Sequence, residues 1–233
     1  MSFFLGIDIG TSATKAVVID GDGRVRGSGT VEYPLYTPRP NWAEQDPEDW
    51  WKATVGSTRK AIESAGIDGK DVGGIGFSGQ MHGAVLLDSS DKVLRPAILW
   101  CDQRTAQECE EITDKIGARR LLELTYNKAL AGFTAPKILW VRKHEPETYE
   151  KVRKILLPKD YIRFRMTGEY ATEVSDASGT LLFDVKNRTW SREMLDELEI
   201  PREFMPDCYE SPVVSGKVSA SAAAELGLKP GTP

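Results

Sequence analysis

Residues 5–20 read LGIDIGTSATKAVVID. Two apolar runs rich in β-branched residues flank a short polar insert. Phe3–Ile7 and Ala16–Ile19 are expected to be strands, and Gly10-Thr11 is a suitable pair to turn one back onto the other. A hairpin accounts for all of this except Asp8. A carboxylate inside an otherwise apolar strand is costly unless something pairs with it. A glycine at the hairpin tip lets backbone N–H groups approach an anion closely. Thr11 and Ser12 add hydroxyl donors, and Lys15 adds a cation. Asp8 could hold Mg²⁺ directly or through water, because magnesium keeps several waters and takes only one or two carboxylates. These pieces make a candidate site for the phosphates of a magnesium nucleotide. They fit an ordinary hairpin as well, with Asp8 capping a local turn. The pattern is neither a Walker A loop nor a Rossmann fingerprint, since no GxxxxGK[ST] occurs and strand follows strand with no helix between.

Beyond the hairpin, Gly21-Asp22-Gly23 marks another turn, and Arg24–Tyr33 is expected to be a third strand. Residues 34–47 carry four prolines and read as a loop. Asp46-Pro47 then looks like a helix cap followed by a first-turn proline. Trp51, Val55, Thr58, Ile62 and Ala65 recur at helical spacing up to a stop at Gly66. Short strands are expected at Val72–Ser78, Gly83–Leu87 and Pro96–Trp100. Helices are expected over Asp102–Ile116, Thr134–His144, Lys159–Thr167 and Ser219–Leu226. Strands first, then a helix, then more of both, suit a mixed sheet flanked by helices. Lys229–Pro233 reads as a turn leading into a linker.

Composition narrows the classes. The chain has 233 residues, 40% apolar, and a net charge of −5 from 30 basic and 35 acidic side chains. That balance gives no electrostatic case for nucleic acid. No window approaches a membrane-spanning length. The three cysteines, Cys101, Cys109 and Cys208, form no CxxC pair and suit reduced thiols in the cytoplasm. His82 and His144 lie too far apart for a metal motif.

A second group of candidates surrounds the segment Gln80-Met81-His82-Gly83, expected as a tight turn between two strands. His82 can bond a hydroxyl and Met81 can cover a carbon face, although a core methionine beside a surface histidine reads equally well. Trp100, Asp102 and Arg104 could bind a polyol through ring contact and hydrogen bonds. Asp102 is also expected to cap the helix that follows. Asp176 serves a cleft or caps a turn over Ser175–Ser178. Trp42, Glu44 and Gln45 read as a surface loop that could also edge a cleft. Trp50, Trp51, Trp140 and Trp190 read as packing residues, and Cys101 as a small buried side chain rather than a nucleophile.

GIDIGTSATKAVVID resembles the first phosphate motif of the sugar-kinase, Hsp70 and actin superfamily. FSGQMHGAVLLD and LRPAILWCDQRT are similar to segments of the FGGY carbohydrate kinases, above all those acting on xylulose. NWAEQDPEDWW and SDASGTLLFD fit that family at matching intervals. The resemblance runs from about residue 3 to the end. It implies an α/β, ribonuclease-H-like domain with a mixed five-stranded-type sheet flanked by helices. It also implies that residues 1–233 are the N-terminal domain of a two-domain enzyme. ATP and Mg²⁺ are then the expected cofactors, with Asp8 at the metal and Gly10, Thr11, Ser12 and Lys15 at the phosphates. Met81, His82, Trp100, Asp102 and Arg104 are expected at the sugar. The general-base aspartate and the adenine pocket would lie in the C-terminal domain, absent from this chain, so no catalytic residue is expected within it. The implied reaction is phosphorylation of D-xylulose to D-xylulose 5-phosphate in the cytoplasm, by an enzyme for which a homodimer is one possible assembly when intact. Met-His where glycerol kinases carry Arg-Glu argues against glycerol, and Gly83 favours a pentulose over gluconate. Ribulose, gluconate or erythritol kinases are the alternatives within the family. A nucleotide-gated, non-catalytic binding protein of the actin or Hsp70 kind is the alternative outside it.

Overall fold

The computed structural model describes residues 2–233. The chain opens with three antiparallel strands, β1 (Phe3–Ile9), β2 (Ala13–Asp20) and β3 (Val25–Glu32). A two-residue strand, β4 (Glu44–Gln45), precedes helix α1 (Pro47–Ala65), and β5 (Val72–Gly79) follows it. Next come β6 (Val85–Leu87), β7 (Ala97–Ile98), α2 (Ala106–Ile116), α3 (Ala118–Thr125), α4 (Thr134–His144) and α5 (Pro146–Tyr149). The chain continues through β8 (Lys154–Leu156), α6 (Pro158–Thr167), β9 (Ala171–Glu173), α7 (Val174–Ser178), β10 (Phe183–Asp184) and β11 (Thr189–Trp190). It finishes with α8 (Arg192–Glu197), β12 (Asp207–Tyr209) and α9 (Ala220–Leu226).

The main sheet has the order β3-β2-β1-β5. Strands β1, β2 and β3 pair antiparallel, and β5 joins β1 in parallel. The sheet is therefore mixed, as expected, with four strands rather than five. Its two faces differ because side chains alternate along each strand. Leu5, Ile7 and Ile9 of β1 and Thr14, Ala16 and Val18 of β2 are buried under α1, whereas Phe4, Gly6, Asp8 and Lys15 face the open side.

Helix α1 begins as its sequence dictates. Asp46 accepts a hydrogen bond from the Glu48 N–H, and Pro47 occupies the first turn, where no N–H is needed. Its buried stripe includes Trp50, Trp51, Ala53, Thr54, Ser57, Thr58 and Ala61. The Trp51 indole donates to Glu225 of α9 at 3.0 Å, which closes the layer from the other side. A second apolar cluster gathers Ile112, Ile138, Leu139, Phe183, Trp190 and Met194 around α4. Trp50, Trp51, Trp140 and Trp190 are all buried, in keeping with the packing role read from sequence. Among the described residues no helix is long and apolar enough to cross a membrane.

Some elements differ from expectation, among them α2 and α3. Helix α2 starts at Ala106 after Thr105, not at Asp102, because Asp102 is committed elsewhere. Helix α3 was not read from sequence at all. Its two arginines and its one glutamate, Glu123, face solvent and only Leu121 and Thr125 are buried, so its apolar stripe is too thin to show.

Helix α1 lies tightly on the sheet at Gly29 on β3. A Cβ there would lie 2.3 Å from the Ser57 carbonyl oxygen. Gly29→Ala is therefore expected to force helix and sheet apart and to cost about 1–3 kcal/mol. Urea unfolding of the two chains measures this, and an unchanged midpoint would refute the close contact.

Candidate functional site

Strands β1 and β5 end together, with Ile9 opposite Gly79. The Gln80 N–H continues the pairing by donating to the Ile9 carbonyl at 2.7 Å. The hairpin tip and the Gln80–Gly83 turn thus leave the sheet side by side. Asp8 is exposed on the open face, opposite Lys15 on β2 and Ser78 on β5.

The tip is held from behind by its carbonyl groups. Gln45 Nε2 donates to the Thr11 carbonyl at 2.7 Å. Gln80 Nε2 donates to the Gly10 carbonyl at 3.3 Å and to Gln45 Oε1 at 2.9 Å. Trp50 Nε1 donates to the same Gln45 oxygen at 2.9 Å, fixing that amide's orientation. The Tyr33 hydroxyl also donates to the Gly10 carbonyl at 2.5 Å. Burial pushes the Tyr33 phenol up to about 12, so it stays a donor at neutral pH. With the carbonyls drawn inward, the Thr11 and Ser12 N–H groups have no backbone acceptor among the described residues. Successive free N–H groups at a tight turn form an anion-binding concavity. Trp100 is 47% exposed, and its indole donates to Thr11 Oγ1 at 3.0 Å. That leaves the Thr11 hydroxyl proton for a ligand. Among the described residues no group of three or more His, Cys, Asp or Glu side chains could hold a metal. The exposed Asp8 carboxylate would suffice to hold a magnesium ion, a cation that takes only one or two carboxylates and keeps several waters.

His82 is the most constrained residue of the second group. Its φ is +69°, a left-handed conformation that is unfavourable for a residue with a Cβ. Its Nδ1 lies 2.7 Å from the Gly179 carbonyl oxygen. A carbonyl only accepts, so Nδ1 carries the proton. Burial lowers the His82 pKa from its ordinary value, so the ring is neutral at pH 7 and Nε2 presents a bare lone pair. The ring lies against Phe133, with centroids 4.8 Å apart. Glycine is required opposite it, since a Cβ at position 179 would lie 2.4 Å from His82 Cε1 and 3.2 Å from the Met81 methyl. Gly83 is pressed on Pro158, where a Cβ would lie 2.7 Å from Cγ. Met81 and His82 therefore share one platform, offering a soft apolar methyl beside a hydrogen-bond acceptor. A polyol with a carbon face and a hydroxyl matches that pair.

Asp102 and Arg104 do not face this space. Their side chains are 0% and 1% exposed and bind each other through the Arg104 fork, with Nη2–Oδ2 at 2.7 Å. Asp102 caps no helix. It accepts from the Ala43 N–H at 2.6 Å, and Arg104 reaches Glu44 at 2.8 Å. Trp42 lies under the Arg104 guanidinium at 3.6 Å. Glu44 and Gln45 are buried, so residues 42–45 are not a surface loop. This network places β4, and β4 places Gln45. Asp176 does not cap its turn either. Glu173 accepts from the Ser175 and Asp176 N–H groups, while Asp176 pairs with Lys159 at 2.8 Å. Cys101 is half-buried and its thiol is pushed up by burial, which suits no nucleophile. Sequence reasoning gave no part to Tyr33, Lys137 and Gly179, and named Gln45 as a surface-loop residue that could edge a cleft and Gln80 as part of the turn without seeing that their amides hold the hairpin tip. The one visible signal was a lysine directly before the apolar run Ile138-Leu139-Trp140 of α4.

The family model described as "FGGY family of carbohydrate kinases, N-terminal domain" matches residues 3–233. The chain is 47% identical to a xylulose kinase of Klebsiella pneumoniae over 97% of its own length and 46% of that protein. It is 43% identical to a xylulose kinase of Bacillus subtilis over 98% of its length and 46% of that one. The solved xylulose kinase of Rhodospirillum rubrum superposes with a TM-score of 0.95 at 29% identity, over 99% of this chain and 47% of the other. The chain therefore spans about half the length of the curated relatives it matches.

Beside Lys159, Asp160 is fully buried, and one carboxyl oxygen lacks a hydrogen-bond partner among the described residues. Burial pushes this carboxyl up to about 7. A carboxyl raised in the folded state is neutral without penalty below its unfolded value near 4, and the fold loses stability as pH rises through 7. Asp160→Asn removes that loss. Relative to the unsubstituted chain, the variant is expected to gain roughly 2 kcal/mol between pH 5 and pH 8. Denaturant melts at both pH values measure it, and a stability difference that does not change with pH would count against the buried carboxyl.

Proposed function

The chain belongs to the FGGY family of carbohydrate kinases, and on that premise we propose that it is the N-terminal domain of an ATP-dependent pentulose kinase converting D-xylulose to D-xylulose 5-phosphate. Residues 1–233 would form one wall of the cleft. A second domain would supply the adenine pocket and the aspartate that takes the proton of the attacking hydroxyl. The observation that carries this reading is the direct link between the two halves of the site. Gln80, beside Met81 and His82, donates to the carbonyl of the hairpin's Gly10, and Trp100 donates to Thr11 Oγ1. A hydroxyl held by Met81 and His82 would thus lie next to phosphates held at the tip, as transfer between them requires.

Thr11, Ser12 and Lys15 serve the phosphate oxygens through N–H, hydroxyl and ammonium groups, and the Gly10 turn admits them. Asp8 would hold magnesium, whose chemistry is to neutralise charge on the phosphates when bound. His82 Nε2 accepts from a sugar hydroxyl, the Met81 methyl covers the carbon face, and the exposed Trp100 ring screens the join between the two ligands from water. Asp102 and Arg104 act on this site through β4 and Gln45 rather than by touching sugar. The similarity to xylulose kinases supports the choice of sugar.

Two measurements test the proposal. The 233-residue chain, lacking a base, is expected to show no sugar-dependent ADP release in a coupled assay. In the full-length gene product, His82→Ala is expected to raise the KM for xylulose about tenfold, or about 1.4 kcal/mol. An unchanged KM would remove His82 from the sugar site.

A further inference from the structure

Lys137 is among the largest fully buried side chains of the protein, at 0% exposure. Lysine is almost never fully buried unless it is paired, yet Lys137 joins no salt bridge among the described residues. Its Nζ donates instead to two main-chain carbonyls, that of His82 at 2.9 Å and that of Gly132. Thr134 Oγ1 donates to the same His82 carbonyl at 3.2 Å. Both donors come from the first turn of α4, and both converge on the one residue of the Gln80–Gly83 turn whose φ is positive.

We propose that Lys137 is a positioning residue for His82, gripping its carbonyl so that the strained turn stays in place and Nε2 faces the sugar. The conformation of His82 costs about 1–2 kcal/mol for a residue with a side chain, and it persists only where the surroundings over-determine it. Two restraints do so here, at opposite ends of the residue. The ring is fixed by Gly179, and the carbonyl is fixed by Lys137 and Thr134. An alternative carbonyl direction would leave a fully buried amine with the Gly132 carbonyl alone to accept from it, which is more costly than losing one exposed hydrogen bond. The amine thus penalises every other turn geometry. Burial brings the Lys137 ammonium down to about 7, with the Asp102 carboxylate opposing the shift. The fold therefore bears a substantial desolvation cost at this position, which plain packing by leucine or methionine would avoid.

The functional half of this inference rests on the kinase reading, whereas the structural half does not. Long-range ¹H–¹⁵N correlation spectra of the 233-residue chain report the His82 ring tautomer directly, with His144 as the internal reference. The unsubstituted chain at pH 8 is expected to show a single His82 tautomer protonated at Nδ1. Lys137→Met and Thr134→Val are expected to show tautomer averaging at His82, with the Trp50 and Trp51 indole signals unmoved. Should Lys137→Met fail to fold, Thr134→Val decides, because it removes only a hydroxyl at nearly constant volume. A His82 ring that keeps its single tautomer in every folded variant overturns the proposal. In the full-length gene product, the same variants are expected to raise the sugar KM three- to tenfold, with kcat within twofold. A moved ring with an unmoved KM would leave the grip on His82 standing and overturn the sugar role of His82 instead.

Discussion

Two buried glutamine amides hold the site together. Gln45 and Gln80 meet each other at 2.9 Å, and each donates to a carbonyl of the hairpin tip. An amide is suited to this place because it both donates and accepts without charge, so it can lie in a core that would penalise a carboxylate or an amine. Drawing two tip carbonyls inward leaves the N–H dipoles of the turn directed outward, and the electrostatic character of the tip follows from that. The more distant elements serve the amides. Asp102 and Arg104 fix residues 43 and 44, Trp50 orients the Gln45 side chain, and the parallel pairing of β1 with β5 sets the Gln80 backbone against Ile9.

Much of this was legible in the sequence, for identifiable reasons. The strands around Gly10 showed because apolar residues alternate across one covered face. Helix α1 showed because a cap, a first-turn proline and a regular buried stripe agree. Asp8 was singled out by its cost, and it does lie on the open face beside Lys15. Asp102 and Arg104 were misjudged because their types suit both a polyol and each other. Only burial distinguishes the two cases, and burial of a charged pair is a property of the fold. Residues 42–45 were misread as surface because a two-residue strand has no period to detect. Lys137 escaped for a related reason. A lysine in a helix is expected to point outward, and nothing local states that a carbonyl 55 residues earlier awaits it.

The two groups of the candidate site are supported in contrasting ways. The hairpin tip is held by neutral amides and a phenol, all within the sheet and α1 layer. The Met81–His82 turn is held by a buried amine, a threonine and a glycine from the other cluster, around α4 and α7. The boundary between the two apolar clusters thus passes through the site. The Gln80 and Trp100 side chains join the two groups through hydrogen bonds to Gly10, Gln45 and Thr11.

The pressed glycines at 83 and 179 have a consequence for how such a site diversifies. With Pro158 Cγ and His82 Cε1 lying within bonding-clash range of any added carbon, those two positions are closed to gradual change, since each substitution would need a neighbour to retreat in the same step. Met81 and Trp100 carry no such lock. On the proposed reading, new sugar preferences would arise by exchanging those two side chains on an unaltered backbone, and lineages that changed the glycines would first have had to reshape the helix start or the imidazole.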